Sequence, residues 1–324
     1  METRSVSSTP PIPLTVVGGF LGAGKTSLVN NILEQTGDRR IAVLVNDFGS
    51  LCVDLSLVSA RSARTISLAN GCICCTLVDG LAQALLDVLQ FDPSPDHVLV
   101  EASGVGDPRR IAQIARADST LAEGGTLVLA AADQVRTLAR DRYVGDTVLR
   151  QLAAADLILL NKVDLATDAE VGAVAAWLHE KAPQAKIVRT ENARLPCDIV
   201  LGPTVRADGR DDKHEYRYRV AGAAEDARAT FTTETLRCSR ALSERRLREA
   251  LDALPDTVLR AKGFVRLDTK PADWRVVQAV GSRWSLAPAP ATVSACESVL
   301  VLIGAAGAMT LDDSTSIVRL FAGA

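Results

Sequence analysis

A glycine-rich segment near the start of the chain has the residue types and the spacing of a loop that binds nucleotide phosphates. Residues 19–26 read Gly-Phe-Leu-Gly-Ala-Gly-Lys-Thr, which fits G-x-x-x-x-G-K-[S/T] between a strand and a helix. In such a loop the backbone N–H groups surround the β-phosphate, the lysine reaches the β- and γ-phosphates, and the hydroxyl binds Mg²⁺. We therefore expect Lys25 and Thr26 to be catalytic, against the alternative of a glycine turn before a capped helix. The expected nucleotide contacts are Gly19, Gly22, Ala23, Gly24, Lys25, Thr26 and Ser27.

A cluster of thiols follows this loop. Of the seven cysteines in the chain, Cys72, Cys74 and Cys75 lie within four residues. Thiolates are soft ligands that select Zn²⁺, Co²⁺ or similar ions. If the segment is extended, Cys72 and Cys74 can point to the same side, and Cys75 would arrive from a turn. Three ligands leave one position open for exchange, or for a fourth ligand from Asp47 or a second subunit. The cluster predicts an open transition-metal site, and the alternatives are buried inert cysteines or a thiol redox switch.

A third segment has the residue types that read a purine base. Residues 161–164 read Asn-Lys-Val-Asp after an apolar stretch. The Asn161 amide can read guanine N7 and O6, the Lys162 stem can lie over the base, and the Asp164 carboxylate can accept from N1–H and the 2-amino group. Adenine lacks that pair of donors, so Asp164 selects guanine. A capped turn is the alternative, but a place at the carboxyl end of a parallel strand favours GTP over ATP.

Two further segments have the positions of loops that respond to a γ-phosphate. Residues 100–104 read Val-Glu-Ala-Ser-Gly and have the form of a switch II segment. Glu101 is expected to hold Mg²⁺ through water, and the Gly104 N–H to sense the γ-phosphate. An exposed carboxylate at a strand end is the alternative. In the switch I position, at residues 45–49, Asp47 is expected to approach the metal or the nucleotide, and an acidic turn is the alternative reading.

Composition limits the classes of protein that the chain can represent. Its 324 residues suit two domains, and 48% hydrophobic with 23% charged residues is a globular balance. A net charge of −3 and a pI near 5.7 provide no basic patch, so nucleic acid is not an expected partner. No apolar signal region or membrane-length stretch is present, and clustered thiols suit a reducing compartment. A cytoplasmic protein is expected.

The elements that must position these segments alternate between apolar strands and helices. Hydrophobicity that is continuous rather than alternating indicates strands covered on both faces, as in a parallel sheet. Alternation of strands with helices implies right-handed βαβ units. We expect a flexible tail at 1–12 and, over 13–202, the doubly wound, mainly parallel α/β sheet of a P-loop NTPase. Strands are predicted at 13–17, 40–46, 97–101, 126–130, 156–161 and 186–189, and helices at 26–35, 76–90, 108–116 and 168–181.

The composition and the hydrophobic pattern of the sequence change after residue 202. A polar stretch rich in Gly, Asp and Arg predicts a linker at 203–215, and a smaller α+β domain with an antiparallel sheet is expected over 216–324. Its predicted elements are strands at 216–220, 230–237, 264–267, 276–280 and 298–303 and a helix at 243–253 capped by Ser243.

Several residues outside the motifs have chemistry-bearing side chains but no pattern. The histidines are scattered and are interpreted as structural or solvated, and the isolated cysteines as core residues. A short basic run in the second domain is interpreted as a solvated face, with a partner surface as the alternative. These residues are His97, His179 and His214; Cys52, Cys197, Cys238 and Cys296; and Arg260, Lys262 and Arg266.

Taken together and in this order, the segments closely resemble the CobW-type GTPases, which are related to the urease and hydrogenase nickel-maturation GTPases. The resemblance extends past the linker and covers the chain from residue 13 to about residue 310. The segments that carry it are residues 18–26, 46–49, 70–75, 101–104 and 161–164, followed by 254–264, 277–281 and 301–304.

This resemblance implies a GTP-dependent metal chaperone or metal-insertion factor that handles Zn²⁺, Co²⁺ or iron. A client metalloprotein or metal-cofactor enzyme would be the partner, and a nucleotide- or metal-dependent homodimer is a further expectation. Family members commonly carry glutamates in the switch I segment, where this chain has Asp47 and Ser50. Many relatives also have a histidine-rich tract, whereas this chain has three histidines in all.

The thiol cluster lies between the two switch segments, so γ-phosphate contacts that order the switches could change the metal affinity of the thiolates. Hydrolysis would be Mg²⁺-assisted phosphoryl transfer with Lys25 and the loop amides stabilising charge, and it would be slow. The sequence indicates no water-positioning residue. Two rivals stay open. One is a regulatory binding protein gated by GTP and by metal or redox state, without metal delivery; the other is a generic ATPase or kinase, against which Asp164 argues.

Overall fold

The computed structural model describes residues 11–45, 65–68, 77–203, 231–270, 272–289, 297–305 and 315–323, with the backbone alone at 65–68, 77–80 and 305. The chain folds around two sheets, one parallel and one antiparallel. The expected α/β P-loop fold with a smaller α+β domain is thereby confirmed. Within the described ranges, no helix is long and apolar enough to cross a membrane.

The first sheet has seven parallel strands in the order β3-β2-β4-β1-β5-β6-β7. Its central strands are buried on both faces, because helices cover each side; β4 and β6 expose none of their residues. The strands are β1 Ile12–Gly19, β2 Ile41–Val45, β3 Thr65–Leu68, β4 His97–Glu101, β5 Leu121–Ala131, β6 Leu157–Asn161 and β7 Lys186–Arg189. The helices are α1 Lys25–Leu33, α2 Leu77–Leu89, α3 Pro108–Ala117, α4 Val135–Leu138, α5 Gly145–Leu152, α6 Asp168–Lys181 and α7 Cys197–Leu201.

Local sequence sets several of these boundaries. The Asp107 side chain accepts a hydrogen bond from Arg109 N and Pro108 occupies the first turn, so α3 begins there. Thr167 and Glu170 form a reciprocal capping box at the start of α6. The predicted bounds of β4, β7 and α6 are confirmed residue for residue. The strand predicted at 126–130 begins earlier, at Leu121. Gly124 and Gly125 interrupt the apolar pattern, but Gly125 stays paired with Thr15 of β1, and Gly124 is the unpaired residue at a register shift.

The second sheet has five antiparallel strands in the order β11-β10-β9-β12-β8. Helices α8 and α9 pack on one face and share an apolar core with alternate strand residues. Ser243 stands at the N-cap of α8 as predicted, but its side chain makes no capping hydrogen bond. The strand predicted at 216–220 and the linker from 204 onward lie outside the described residues. The elements are β8 Phe231–Cys238, α8 Glu244–Asp252, β9 Val258–Leu267, β10 Asp273–Val280, β11 Arg283–Pro288, β12 Ser298–Ala305 and α9 Ser316–Ala322.

The second domain docks against the amino ends of the parallel strands. Arg260 on β9 is 1% exposed and donates to the Gly124 carbonyl of β5 at 2.6 Å. Lys186 at the start of β7 donates in the opposite direction, to the Pro255 and Val258 carbonyls at 3.0 and 2.7 Å. The apolar cluster beneath α1 and α7 includes residues of the second domain, namely Phe231, Leu259 and Ile303. Buried charges therefore cross the junction in both directions and end on backbone oxygens.

Asp156 adds a further polar link at this junction. One carboxylate oxygen accepts from Thr126 N at 2.8 Å, and the other pairs with Arg283 of β11 at 2.6 Å. Burial raises the pKa of Asp156, and the Arg283 charge opposes that rise. Gly281 has φ 58°, and a Cβ there would overlap the Asp156 carbonyl oxygen. Only glycine fits at this point of close approach.

The interpretation of the basic run as a solvated face is wrong for Arg260. Residues of β9 alternate between the two faces of the sheet, and residue 260 lies on the face that docks against the first domain. Its pKa is lowered to about 10 because it is buried. Lys262 is half-buried on the same face, and burial lowers its pKa to about 8, with Arg260 and Arg39 contributing. Arg266 is partly buried and donates to the Ser239 carbonyl.

Candidate functional site

The predicted nucleotide residues meet at the carboxyl ends of the parallel strands. The phosphate loop leaves β1, Glu101 ends β4 and Asn161 ends β6. Strand β4 lies beside β1, and β6 lies on the other side of β1 with β5 between them. In open α/β sheets this edge is where ligands bind. The site therefore lies at the opposite end of the sheet from the second domain.

The backbone of the loop leaves room for a phosphate. Gly22 has φ 73°, and a Cβ there would meet nothing within 4 Å. Gly24 has φ 105° and forms the N-cap of α1, where a Cβ would overlap the Asn161 amide nitrogen. Gly19 has φ 132° and packs directly on the Leu129 backbone. Because α1 begins at Lys25, the N–H groups of its first turn have no helical acceptor and can serve an anion.

Lys25 is held close to this loop. It is 8% exposed, and its ammonium lies 3.4 Å from the Phe20 carbonyl oxygen, a long hydrogen bond. The side chain thus folds back over the loop that would surround a phosphate. A phosphate oxygen would be a stronger acceptor than the carbonyl, because both partners would be charged.

Thr26 and Glu101 are in direct contact. The Thr26 hydroxyl donates to a Glu101 carboxylate oxygen at 3.0 Å. Glu101 is 3% exposed, so the alternative of an exposed carboxylate at a strand end is wrong. A hydroxyl and a carboxylate are hard oxygen donors of the kind that Mg²⁺ takes beside nucleotide phosphates. The pair therefore fits this ion.

Asn161 joins the phosphate loop to the loop after β7. Its amide nitrogen donates to the Ala23 carbonyl at 2.8 Å, and its amide oxygen accepts from Ala193 N at 2.8 Å. The side chain is 2% exposed. Each amide atom keeps one further hydrogen-bonding position, so the residue can hold the two loops together and still face a base.

Lys162 and Asp164 follow on a short turn. Lys162 has a left-handed conformation with φ 61°, and Asp164 is exposed in the single helical turn that follows. The pKa of Glu191 is raised by burial and by the charge of Asp164, so these two carboxylates lie near each other. The exposed Asp164 carboxylate is thus available to a ligand at the edge of the site.

The loop after β7 is a part of the site that the sequence analysis missed. Asn192 and Ala193 have φ 52° and 54°, a backbone conformation that non-glycine residues rarely adopt. Asn31 of α1 donates to both of their carbonyls, at 2.9 and 3.1 Å. Gln35, one turn later, donates to the Leu195 carbonyl at 3.1 Å. Two side-chain amides four residues apart, Asn31 on α1 and Gln35 just after its end, were the available sequence signal.

Gly104 lies under the phosphate loop. A Cβ at Gly104 would overlap the Leu21 side chain, and the Gly104 carbonyl accepts from the buried Gln151 amide at 3.1 Å. Leu21 itself is 60% exposed. The predicted γ-phosphate sensor is therefore packed from the loop side and hydrogen-bonded from α5.

The predicted transition-metal ligands Cys72, Cys74 and Cys75, and Asp47 of the switch I segment, lie outside the described residues. Among the residues that the structure does describe, no group of three or more His, Cys, Asp or Glu side chains could hold a metal ion.

The scattered residues that are described behave as interpreted. Cys197 and Cys238 are buried core residues, and burial raises the pKa of Cys197 to about 12. His97 is buried and His179 is exposed. Cys52, Cys296 and His214 lie outside the described residues.

Two parts of the chain match the models of known protein families. Residues 13–189 match the CobW/HypB/UreG nucleotide-binding domain, and residues 231–318 match the cobalamin synthesis protein CobW C-terminal domain. Zinc chaperone CobW of Pseudomonas aeruginosa is 31% identical over 311 residues, which cover 84% of this chain and 81% of that protein. Zinc chaperone YjiA of Escherichia coli is 36% identical over 217 residues, covering 61% of this chain and 62% of that protein.

A eukaryotic relative aligns over a shorter stretch. Zinc-regulated GTPase metalloprotein activator 1 of Schizosaccharomyces pombe is 31% identical over 199 residues, covering 58% of this chain and 48% of that protein. The match to the nucleotide-binding domain alone spans more than half of the chain. This chain therefore belongs to the CobW/HypB/UreG family of nucleotide-binding proteins and carries the CobW C-terminal domain as well.

Proposed function

We propose that this protein is a GTP-dependent metal chaperone that hydrolyses GTP to GDP and phosphate. The observation that carries the nucleotide half is the contact of Thr26 with the buried Glu101 at the N-terminus of α1, beneath a glycine loop with room for phosphates. The metal half is supported by the thiol cluster and by relatives that are named zinc chaperones.

In this proposal the loop amides and Lys25 bind the β- and γ-phosphates and stabilise charge during phosphoryl transfer. Thr26 would ligate Mg²⁺ directly, and Glu101 would hold it through water. Bound there, Mg²⁺ neutralises charge on the phosphate oxygens. Asp164 accepts from guanine, while Asn161 keeps the phosphate loop and the loop after β7 in register. Intrinsic turnover is slow, because no residue in the proposal orients the attacking water.

The cargo in this proposal is a transition ion held by Cys72, Cys74 and Cys75. Zinc is favoured by the names of the relatives, and cobalt or iron suit the same ligands. In the chain, the cluster lies between β3 and α2, and between the two switch segments. Nucleotide state can therefore change the geometry of the thiolates and release the ion to a client metalloprotein.

An anaerobic metal titration tests both halves together. Co²⁺ absorbance, with Zn²⁺ as competitor, is read with GTPγS, with GDP and without nucleotide. We expect the metal affinity to differ between nucleotide states. Outer-shell changes at metal sites already cost about 10- to 100-fold, so replacing two ligands, with Cys72→Ser and Cys74→Ser together, should cost more than about 100-fold.

Cys296→Ser, which alters an isolated cysteine, is the control and should leave the titration unchanged. An affinity that ignores both the nucleotide and the double substitution would refute the metal half of the proposal. Transfer of a labelled ion to a client supports delivery. Retention of the ion with nucleotide-dependent partner binding would instead support a regulatory binding protein.

A further inference from the structure

A glutamine on α5 is bonded to the segment that follows β4. The Gln151 side-chain amide donates to the Gly104 carbonyl at 3.1 Å and to the Gly106 carbonyl at 2.8 Å. We propose that Gln151 is a positioning residue that holds residues 103–106 in the arrangement that recognises a γ-phosphate. The proposal deepens the function proposed above and rests on it.

The surroundings of Gln151 make these bonds strong constraints. The residue is 2% exposed and borders an apolar cavity whose lining includes Phe20, Leu21, Val148 and Leu152. A buried amide without acceptors would cost about 1–3 kcal/mol. Both N–H groups of the amide donate to the carbonyls of Gly104 and Gly106, so moving the side chain away would leave buried donors and acceptors unpaired. The buried Gln151 amide thus restrains the loop at residues 103–106.

Both acceptors are carbonyls of glycines, the residue type with the greatest backbone freedom. Gly104 and Gly106 have no Cβ, so each can adopt backbone conformations closed to other residues. Because each peptide unit is planar, directing a carbonyl oxygen also directs the N–H of the following residue. The bond to the Gly104 carbonyl therefore directs the next N–H, that of Val105. The Gly104 N–H shares a peptide unit with the Ser103 carbonyl, which accepts from Gly106 N at 2.9 Å, so Gln151 acts on this N–H by holding Gly106.

A second contact ties the same region to the same helix. Arg109, at the start of α3, donates to the Arg150 carbonyl of α5 at 3.0 Å. On the other side, Ala102 N donates to the Val17 carbonyl of β1 at 2.8 Å, next to the phosphate loop. The segment is held at its beginning by the sheet and further along by α5. Gln151 bonds to the residues between Ala102 and Arg109, which follow closely after Glu101.

The geometry predicts an effect that depends on the γ-phosphate. GDP would contact the loop and α1 but lacks the γ-phosphate that Gly104 is proposed to sense. GTP would need the Gly104 N–H in place, so a loosened segment would lower the affinity for GTP alone. A merely structural glutamine would, when replaced, lower the affinity for both nucleotides or the stability of the whole domain.

The test compares GTPγS and GDP binding by calorimetry in Gln151→Met, which keeps the length of the side chain but removes both donors. We expect GTPγS affinity to fall about tenfold, the factor that one typical hydrogen bond represents, with GDP affinity within about twofold. The kcat for GTP should fall in parallel. Gln113→Leu, on the exposed face of α3, is the control and should change neither affinity.

Equal loss of both affinities, or no loss of either, would overturn the proposal. If Gln151→Met does not fold, Gln151→Asn replaces it, since the shorter amide stays polar but cannot reach both carbonyls. The wild-type protein provides the separate check on the proposed function. If it binds GTPγS no better than the adenine analogue, guanine-nucleotide recognition fails, whatever Gln151 does.

Discussion

Among single residues, Asp164 is the one that we propose selects the base. Its carboxylate is exposed at the edge of the site, near the partly buried Glu191. Asp164→Asn replaces an acceptor by a donor opposite guanine N1–H and the 2-amino group. Hydrogen bonds to a charged group are worth about 1.5–3 kcal/mol each, so the preference for GDP over ADP should fall by about 100-fold or more.

Fluorescent-nucleotide competition measures that ratio. Xanthine carries a carbonyl in place of the 2-amino group, and the Asn amide can donate to it. The same variant should therefore gain affinity for xanthosine diphosphate. Asp168→Asn, an exposed change in the first turn of α6, serves as the control. A variant that still prefers GDP as strongly as the wild type would assign base selection to other groups.

Residue types in the motifs could be predicted from the sequence, whereas their hydrogen-bond partners could not. The spacing predicted Thr26 and Glu101 as companions, and their hydroxyl and carboxylate are 3.0 Å apart. Gln151 and Arg260 have no such signal, because the carbonyls they bond lie 45 to 136 residues away in the chain. Only the packing of the elements brings these partners together.

At the scale of elements, α1 serves two parts of the site. Its first turn would face the proposed phosphate position, and Asn31 donates hydrogen bonds to the loop after β7. Asn31→Leu should loosen that loop and lower GDP affinity about three- to tenfold, since each net hydrogen bond is worth about 0.5–1.5 kcal/mol. Inorganic triphosphate, which has no base, should bind as before.

Calorimetry with both ligands separates these effects. Glu34→Gln, an exposed change at the C-cap of the same helix, is the matched control. Equal losses for GDP and for triphosphate would show that Asn31 supports the helix as a whole rather than the loop after β7.

Elements with strong hydrophobic patterns were predicted, and short or exposed ones were missed. The helices α4 and α7 have four and five residues, too few to show a helical period. Strand β11 contains no buried residue and lies at a sheet edge, so its pattern is weak. Strand β3, the seven-residue α9 and the amphipathic α5, which provides Gln151, were also absent from the predicted elements.

For the molecule as a whole, the pKa of His97 depends on the junction between the domains. It is 3% exposed at the start of β4, with Nε2 2.8 Å from the Thr15 hydroxyl. Burial holds the pKa of His97 well below 6.5, and the charges of Arg260, Lys262 and Arg39 lower it further. The folded protein therefore keeps this imidazole neutral while the unfolded chain takes up a proton near pH 6.5.

Stability should consequently fall as the pH drops below about 6.5, because the unfolded state then binds more protons. One such group contributes up to about 1.4 kcal/mol per pH unit. His97→Gln should flatten this part of the profile in urea unfolding measured between pH 5 and 8. His179→Gln, at an exposed position of α6, should not. Parallel profiles for wild type and His97→Gln would contradict this assignment.

The junction also determines how the chain comes apart. Arg260 and Lys186 each reach across it to backbone oxygens of the other domain, so separating the domains would strand buried donors and acceptors on both sides. We therefore expect the two domains to unfold in a single calorimetric transition, because neither can melt without leaving buried polar groups of the other unpaired. A nucleotide bound at the far edge of the parallel sheet would raise the melting temperature of the antiparallel one too.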